Sequence, residues 1–278
     1  MEVFILEIFL AAIVAGVIGS LLGLGGGILI VPLLTVGFGV DIRVAIGASI
    51  VSVIATSSGA AAAYVRDHLT NIRVAMLLEV ATTIGAVTGA FLAAYAHSGI
   101  LFGLFGAVLL FSLIPLVMKL GEELPQGVTD DRIAARLRLQ STYPDAALGH
   151  WVDYQVTGVP LGFPMMYVAG LVSGLLGIGS GVLKVLAMDT AMRLPMKVSS
   201  ATSNFMIGVT AAASAGIYFW RGDVVPLIAA PVALGVLLGA TAGARLLTRF
   251  SNATVRLIFL PVVAVVAVEM LARAFGLP

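Results

Sequence analysis

A lysine follows a run of small residues within one of the most apolar stretches of the sequence. In GLLGIGSGVLKVLAM (174–188), the segment GIGSG at 177–181 precedes Lys184. Such a glycine run ends a helix, and the helix that begins after it presents unpaired N–H groups at the positive end of its dipole. An ammonium near a bilayer centre costs about 2.5–3.5 kcal/mol on insertion scales, so it indicates a functional site. Together these features are typical of anion binding.

A second glycine run has the same spacing. GLGGG at 23–27 is followed by ILIVPLL, as GIGSG is followed by VLKVLAM. Backbone that leaves helical geometry inside a bilayer must be buried in protein or line a cavity, so we expect both runs to meet at one site. The alternative is that the glycines only allow close packing of helices. The candidates at these breaks are Gly25, Gly26, Gly27, Gly179, Ser180 and Gly181.

Hydroxyl and amide side chains on two further stretches extend the candidate site. In MKVSSATSNFMIGV (196–209) and IRVAIGASIVSVIA (42–55), the polar residues fall largely on one helix face. Neutral donors suit an oxyanion that must be held and then released. The alternative is that these side chains bond the carbonyls of their own helix or a neighbouring one. The candidates here are Thr202, Ser203, Asn204, Ser49 and Ser52.

Two charged groups each have two interpretations. Lys184 either holds the anion or serves as a structural cation, paired with Asp189 or Glu79 or reaching the membrane interface. Glu79 lies early in a predicted span and either carries a coupling proton or reaches the cytoplasmic interface. With no cysteine, and with the three histidines at or beyond the span ends, the sequence indicates no metal site and no cofactor.

The elements that position these residues are membrane helices. Hydrophobic residues make up 60% of the 278 residues and charged residues 10%, with a mean hydropathy of +1.12. Apolar runs of about 20 residues, without the alternation of a barrel, predict an all-α polytopic membrane protein. A net charge of +1 without a basic run gives no sign of nucleic acid binding. We expect a small anion and the lipid bilayer as partners; the oligomeric state stays open, a homo-oligomer included.

The chain contains an internal duplication. A shift of 154 residues superposes VAGVIGSLLGLGGGILIV on VAGLVSGLLGIGSGVLKV without a gap, and the register persists over about 75 residues. Each half contains a glycine-broken stretch and then three apolar spans. The first membrane repeat (1–119) is predicted to hold 3–38, 42–65, 74–96 and 99–119. The second (161–278) is predicted to hold 161–190, 197–219, 224–246 and 253–275. The polar linker (120–160) is expected to form a short interfacial helix at TDDRIAARLRLQ, with Thr129 as its cap.

The distribution of positive charge favours a hairpin at each glycine-broken stretch. If each stretch crossed the membrane once, lysine and arginine would divide eight to six between the sides. If each stretch enters and leaves on one face, the split is eleven to three, as the positive-inside rule requires; Lys184 is left out of both counts because it is intramembrane. The cytoplasmic set is Arg66, Arg73, Lys119, Arg132, Arg136, Arg138, Arg193, Lys197, Arg245, Arg249 and Arg256. The outer set is Arg43, Arg221 and Arg273.

Three crossings per half give the two repeats inverted topology. We therefore predict six crossings and two helical hairpins, with both termini outside and the linker in the cytoplasm. Inverted repeats with broken helices are typical of secondary transporters, whose substrate sites lie near the membrane midplane.

The paired motifs resemble the TauE/SafE family of sulfite exporters, also called the toluene sulfonate uptake permease family. The resemblance covers both halves and implies an inner-membrane carrier for sulfite, sulfoacetate and other organosulfonates. In this resemblance, the family's glycine motifs correspond to Gly23, Gly25, Gly26, Gly27, Gly177, Gly179 and Gly181. Two positions depart from the pattern: Ser180 stands where a further glycine is usual, and Leu186 stands where the first half has Pro32.

These observations predict a secondary transporter that moves a small sulfur-containing oxyanion by alternating access. An anion channel using the same site is the nearest alternative. An intramembrane enzyme is the alternative of a different class, and the sequence lacks the H-E-x-x-H, G-x-S-G and P-loop motifs that would favour it. The identity of the anion, the direction of transport and the coupling ion stay open.

Overall fold

The computed structural model describes residues 2–21, 27–118, 125, 127–129, 131–145, 149–247 and 252–276. In the first half, the helices are α1 (Glu2–Leu21), α2 (Gly27–Pro32), α3 (Ile42–Arg66), α4 (Ile72–Tyr95) and α5 (Ser98–Met118). The linker contributes α6 (Arg132–Leu137), β1 (Ser141–Asp145) and β2 (His150–Tyr154). The second half contains α7 (Val159–Leu176), α8 (Gly181–Leu186), α9 (Met196–Trp220), α10 (Pro226–Leu247) and α11 (Asn252–Ala274). Single π turns, Leu33–Gly37 and Ala187–Ala191, continue α2 and α8.

The helical character of the membrane part is confirmed. The predicted spans coincide with α3, α4, α5, α9, α10 and α11 to within two residues at each end. By length and composition alone, three of the described helices can cross a membrane, namely α3, α4 and α7. Shorter apolar stretches lie in α1, in α2 and its π turn, in α5 and in α10. The number of crossings stays a prediction, since α7 belongs to a predicted hairpin.

The two halves pack against each other through contacts that repeat at a shift of 154 residues. Helix α1 packs along α10, and α7, which corresponds to α1, packs along α4, which corresponds to α10. A Cβ atom on Gly85 would overlap the carbonyl oxygen of Tyr167, and one on Gly239 would overlap that of Ile13. These are the same contact made twice. Glycine is needed at both positions because the helix backbones touch there.

Corresponding helices run in opposite directions inside the protein. At one end of the α3–α9 pair, Gly47 lies against the backbone of Asp223. Further along, Ser57 of α3 lies against Gly208 of α9. Helices α5 and α11 are also antiparallel, since Gly99 lies beside Ala274 near the start of one helix and the end of the other.

The ends of each glycine-broken segment lie together. In the first half, the rings of Phe4 and Phe38 make an edge-to-face contact with centroids 5.8 Å apart. In the second half, the N–H of Thr157 donates to the carbonyl oxygen of Met192 over 3.2 Å. Each chain segment therefore leaves the helical bundle at the end where it entered.

The linker differs from its prediction in two ways. Its short helix is present as α6, but Asp131 caps it instead of Thr129, because Asp131 Oδ1 accepts from the N–H groups of Ile133 and Ala134. The strands β1 and β2, which we did not predict, form an antiparallel hairpin with Ser141 opposite Tyr154. Within the described residues, this hairpin is the exception to the all-α architecture.

Side chains from both halves hold the linker. Lys197 of α9 donates to both carboxylate oxygens of Asp145 at 2.9 Å. The amide nitrogen of Asn71, the cap of α4, lies 2.8 Å from both the hydroxyl of Tyr154 and the carbonyl oxygen of Leu139. Burial raises the pKa of Tyr154 to about 12, so this hydroxyl is protonated at neutral pH. The linker thus packs over the ends of α4 and α9.

Candidate functional site

The second glycine run forms a tight turn between α7 and α8. Gly177, Gly179 and Ser180 have φ values of +67°, +72° and +48°. Such left-handed backbone suits glycine, because a Cβ atom is disfavoured there. Ser180 thus occupies a left-handed position that suits glycine. Of the first run, only Gly27 is described; Gly23, Gly25 and Gly26 lie outside the described residues.

Two repeat-related serines hold the ends of the broken helices. Ser49 Oγ lies 3.1 Å from the carbonyl oxygen of Gly27 and 2.9 Å from that of Gly177. Ser203 Oγ, 154 residues later, lies 3.2 Å from the carbonyl oxygen of Gly181. Both hydroxyls therefore donate to backbone. In this conformation, Ser49 and Ser203 position the breaks.

Gly27 and Gly181 also allow close packing, the alternative that the sequence left open. A Cβ atom on Gly27 would overlap the side chain of Val53, and one on Gly181 would lie 2.9 Å from Ile207 Cδ1. Val53 and Ile207 are themselves repeat counterparts. These glycines thus combine two roles, since each begins a short helix and lets that helix approach its neighbour.

Lys184 lies at one end of a buried polar chain. Its side chain is fully buried, and Nζ donates to Thr210 Oγ1 over 2.6 Å. The same hydroxyl lies 2.8 Å from Glu79 Oε1 and 2.8 Å from the carbonyl oxygen of Met206. Of the two carboxylates considered as partners for Lys184, Glu79 is thus linked to it through Thr210. Asp189 makes no bond to Lys184 in the part of the chain that the structure describes.

Glu79 also points into this site. Its Oε1 accepts from Thr83 Oγ1 at 3.2 Å, while Oε2 is buried and has no hydrogen-bond partner within the described structure. A carboxylate that served only as a surface charge at the membrane interface would be solvated. The geometry therefore favours the interpretation of Glu79 as an internal group of the protein.

The amino-acid sequence also matches a known protein family. A family model described as "Sulfite exporter TauE/SafE" matches residues 8–270. The chain belongs to the TauE/SafE sulfite exporter family.

Three similar proteins of known sequence are named as transporters. "Probable membrane transporter protein YunE" of Bacillus subtilis (strain 168) is 27% identical over 266 residues, which is 93% of this chain and 94% of the relative. "Probable membrane transporter protein YdhB" of the same organism is 26% identical and covers 87% and 88%. "Probable membrane transporter protein ORF9" of Sinorhizobium sp is 23% identical and covers 98% and 92%. No solved structure matches the chain. With its apolar helices, this TauE/SafE protein is a multi-pass membrane transporter.

Three of the predicted polar residues of this TauE/SafE protein bond backbone or a neighbouring loop. Ser52 donates to the carbonyl oxygen of Ser49 over 2.7 Å, and Asn204 to that of Ser200 over 3.0 Å. Thr202 accepts from the N–H of Asn71 over 3.0 Å. In this conformation, Ser52, Thr202 and Asn204 therefore form hydrogen bonds with backbone groups, as the alternative interpretation of these side chains predicts.

Thr210 was missed as a site residue. Two signals in the sequence pointed to it: Thr210 follows Ser203 by two helical turns, and the repeat pairs it with Thr56. Three further hydroxyls, those of Thr70, Ser180 and Ser199, are buried without a hydrogen-bond partner in the described structure. Buried polar groups are normally satisfied, so unpaired ones indicate a place where a ligand or water binds.

The space at the second break of the TauE/SafE protein is closed in this conformation. A cavity of about 10 Å³ lies there, and Ser180, Gly181, Ile28 and Ser112 are among its lining residues. This volume holds at most one water molecule. An oxyanion can therefore reach Ser180 only if the surrounding helices move.

Proposed function

We propose that the protein is a secondary transporter of small sulfur-containing oxyanions, such as sulfite or organosulfonates, in the cell inner membrane. Membership of the sulfite exporter family supports the substrate class. The relatives' printed names support transport as the activity. The observation that carries the proposal is the full burial of Lys184 beside the second helix break.

Lys184 has the capacity to bind an anion. An ammonium has three N–H donors, and Thr210 is the acceptor for one of them in the described structure. Two donors remain for an oxyanion. The unpaired hydroxyl of Ser180 begins the same helical turn, since the N–H of Lys184 donates to the carbonyl oxygen of Ser180 over 3.0 Å. A buried cation with free donors favours an oxyanion over a metal ion.

The rest of the predicted site supplies backbone and neutral donors. We propose that N–H groups of Gly25–Gly27 and Gly179–Gly181 bind the anion at the paired breaks. Ser49 and Ser203 would hold the breaks in place, and Ser52, Thr202 and Asn204 would line the path when the helices move apart. Hydroxyls that bond backbone in the closed state become donors to the anion once the closed state opens.

We further propose that the anion crosses by alternating access. The antiparallel pairing of α3 with α9 and of α5 with α11, together with the paired ends of both broken segments, supports two inverted repeats. The eleven-to-three distribution of positive charges supports termini outside and a cytoplasmic linker. The cavity of about 10 Å³ near Ser180 is too small for an oxyanion, so passage through this site requires helix movement, as in alternating access.

Ligand binding and counterflow test the proposal together. Purified protein is screened by thermal shift against sulfite, thiosulfate, sulfate, sulfoacetate and taurine, and the anion that stabilises it most is then used in proteoliposomes. We expect saturable uptake and exchange of labelled for unlabelled anion. Anion flux that neither saturates nor shows counterflow would make the protein a channel. No stabilisation and no flux with any of the five would overturn the substrate class.

A further inference from the structure

The polar chain that joins Lys184 to Glu79 contains a hydroxyl with a choice of acceptors. Thr210 Oγ1 carries one hydrogen, and Lys184 Nζ, as an ammonium, can only donate to it. The hydroxyl hydrogen must therefore go either to Glu79 Oε1 or to the carbonyl oxygen of Met206, both 2.8 Å away. The two choices correspond to two protonation states of Glu79.

In each state the Thr210 hydroxyl both accepts and donates a hydrogen bond. When Glu79 is ionised, Thr210 donates to the carboxylate and accepts from Lys184, so the two charges balance through one bridging oxygen. When Glu79 is protonated, its own O–H can donate to Thr210, and the threonine hydrogen turns to Met206. Burial makes an unbalanced charge costly, so the protonation state of Glu79 depends on the charges near Lys184.

Among the charged groups on the described helices around Lys184, Glu79 is the one whose protonation can change when an anion binds Lys184. On α4, Arg73 donates to the carbonyl oxygen of Arg138 in the linker. On α9, Lys197 is bonded to Asp145, also in the linker, and Arg221 pairs with Asp223 after the end of that helix. Helix α7 contains no charged residue, and Asp189, after α8, makes no bond to Lys184 in the described structure. Among the described residues, Lys184 and Glu79 therefore face each other as the charged groups of this site.

This polar chain, with Glu79 from the first half and Lys184 and Thr210 from the second, is not duplicated by the repeat. The repeat counterparts of Lys184 and Glu79 are Ile30 and Ala233, which cannot titrate, whereas Thr210 has Thr56 as its counterpart. Each protein thus has one such lysine and one such carboxylate. If anion transport is coupled to proton transport through these two groups, each transport cycle moves one proton.

We propose that Thr210 links anion binding at Lys184 to protonation of Glu79, so that each anion crosses with one proton. This inference rests on the proposed anion transport. An anion that binds Lys184 brings a second negative charge beside the Glu79 carboxylate, and repulsion then favours the protonated form. The carboxylate takes this proton from the water on the side from which the anion enters and returns it on the other side.

Transport assays with and without a proton gradient test this inference separately from the transport proposal. Proteoliposomes are prepared with wild-type protein, Glu79→Gln, Thr210→Val and Thr210→Ser. Each preparation is assayed with thiosulfate, whose charge is constant between pH 6 and pH 8, and separately with sulfite. Two assays are run: anion counterflow without a gradient, and net uptake with the outside more acidic than the inside. Thr88→Val is the matched control, because Thr88 is exposed and bonds only the carbonyl oxygen of Ile84 within the described residues.

We expect Glu79→Gln to keep counterflow within about threefold of wild type and to lose the acceleration of net uptake by the gradient. Thr210→Val should weaken that acceleration, Thr210→Ser should restore it, and Thr88→Val should behave as wild type. If counterflow is present but Glu79→Gln responds to the gradient like wild type, the coupling is overturned while the transport proposal stands. If wild type exchanges neither anion, the transport proposal fails instead.

Discussion

The hydroxyl of Ser49 donates to the carbonyl oxygen of Gly177 over 2.9 Å and so joins a helix of the first half to the break of the second half. The same hydroxyl also lies 3.1 Å from the carbonyl oxygen of Gly27. One buried side chain thus connects both helix breaks. Any movement that opens the site must stretch or replace this bond.

Ser49→Ala should destabilise the protein. The carbonyl oxygens of Gly27 and Gly177 would lose a donor in a buried place, which costs about 1–3 kcal/mol. The midpoint of thermal unfolding in detergent measures the loss. Ser58→Ala is the matched control, because Ser58 is exposed and bonds the carbonyl oxygen of Ile54 in its own helix. We expect the control to change the free energy of unfolding by about 0.5 kcal/mol or less, and equal shifts in the two variants would contradict the account.

Gly85→Ala and Gly239→Ala should destabilise the protein by similar amounts. Both would place a methyl group on the backbone of the helix opposite, and overpacking of this kind costs about 1–3 kcal/mol. Gly59→Ala is the control, since a Cβ atom there meets nothing within 4 Å. Because alanine favours helix, the control should be neutral or more stable by up to about 1 kcal/mol. A large effect at one of the repeat-related glycines and none at the other would argue against the reciprocal packing.

Much of the helical fold could be predicted because membrane helices have a simple signal. Runs of about 20 apolar residues bounded by charge located the spans of both halves. The glycine runs located the breaks, because three small residues repeated at the same register do not suit a continuous helix. The 154-residue shift pairs Gly85 with Gly239, and the structure gives these two positions the same kind of contact.

The polar details could not be predicted because they depend on which helices meet. Lys184, Thr210 and Glu79 lie on three helices, and only their packing brings the three side chains together. The β-hairpin of the linker carried no clear alternation of apolar and polar residues, with Pro144 inside its first strand. Asp131 caps α6 instead of Thr129 because its second oxygen also accepts from the N–H of Val159, over 2.8 Å.

Single cysteines should report the predicted topology directly, because the chain contains no cysteine. His97→Cys lies between α4 and α5, on the predicted outer side, and Thr142→Cys lies on the linker hairpin; both positions are exposed. In intact spheroplasts, a membrane-impermeant maleimide should label the first, and it should label the second only after permeabilisation. The opposite pattern would reverse the orientation, and labelling of both in intact spheroplasts would contradict the crossing between them.

Asn71→Ala should loosen the linker. Its side chain accepts from the N–H of Val74 as a helix cap and also donates to Tyr154 and Leu139 of the linker. Asp41→Ala is the matched control, because Asp41 caps α3 through the N–H of Arg43 but does not reach the linker. Loss of a cap costs about 1 kcal/mol in both. Limited proteolysis should cut the linker several-fold faster in Asn71→Ala alone, and equal cutting in the two variants would show that the linker is held by other contacts.

The central claim is that the buried ammonium of Lys184 binds the transported anion. Counterflow of labelled sulfite into proteoliposomes is measured for wild type, Lys184→Ala and the double variant Lys184→Met with Glu79→Gln. The double variant removes both charges and so avoids a buried carboxylate without a cation. Arg66→Ala, at an exposed position, is the control. Each protein must elute from gel filtration as a single monodisperse peak, which shows that it is folded. We predict that both Lys184 variants lose counterflow by at least about 100-fold, equivalent to about 2.7 kcal/mol of lost anion stabilisation, while Arg66→Ala retains it. Wild-type counterflow in either folded Lys184 variant would contradict the account.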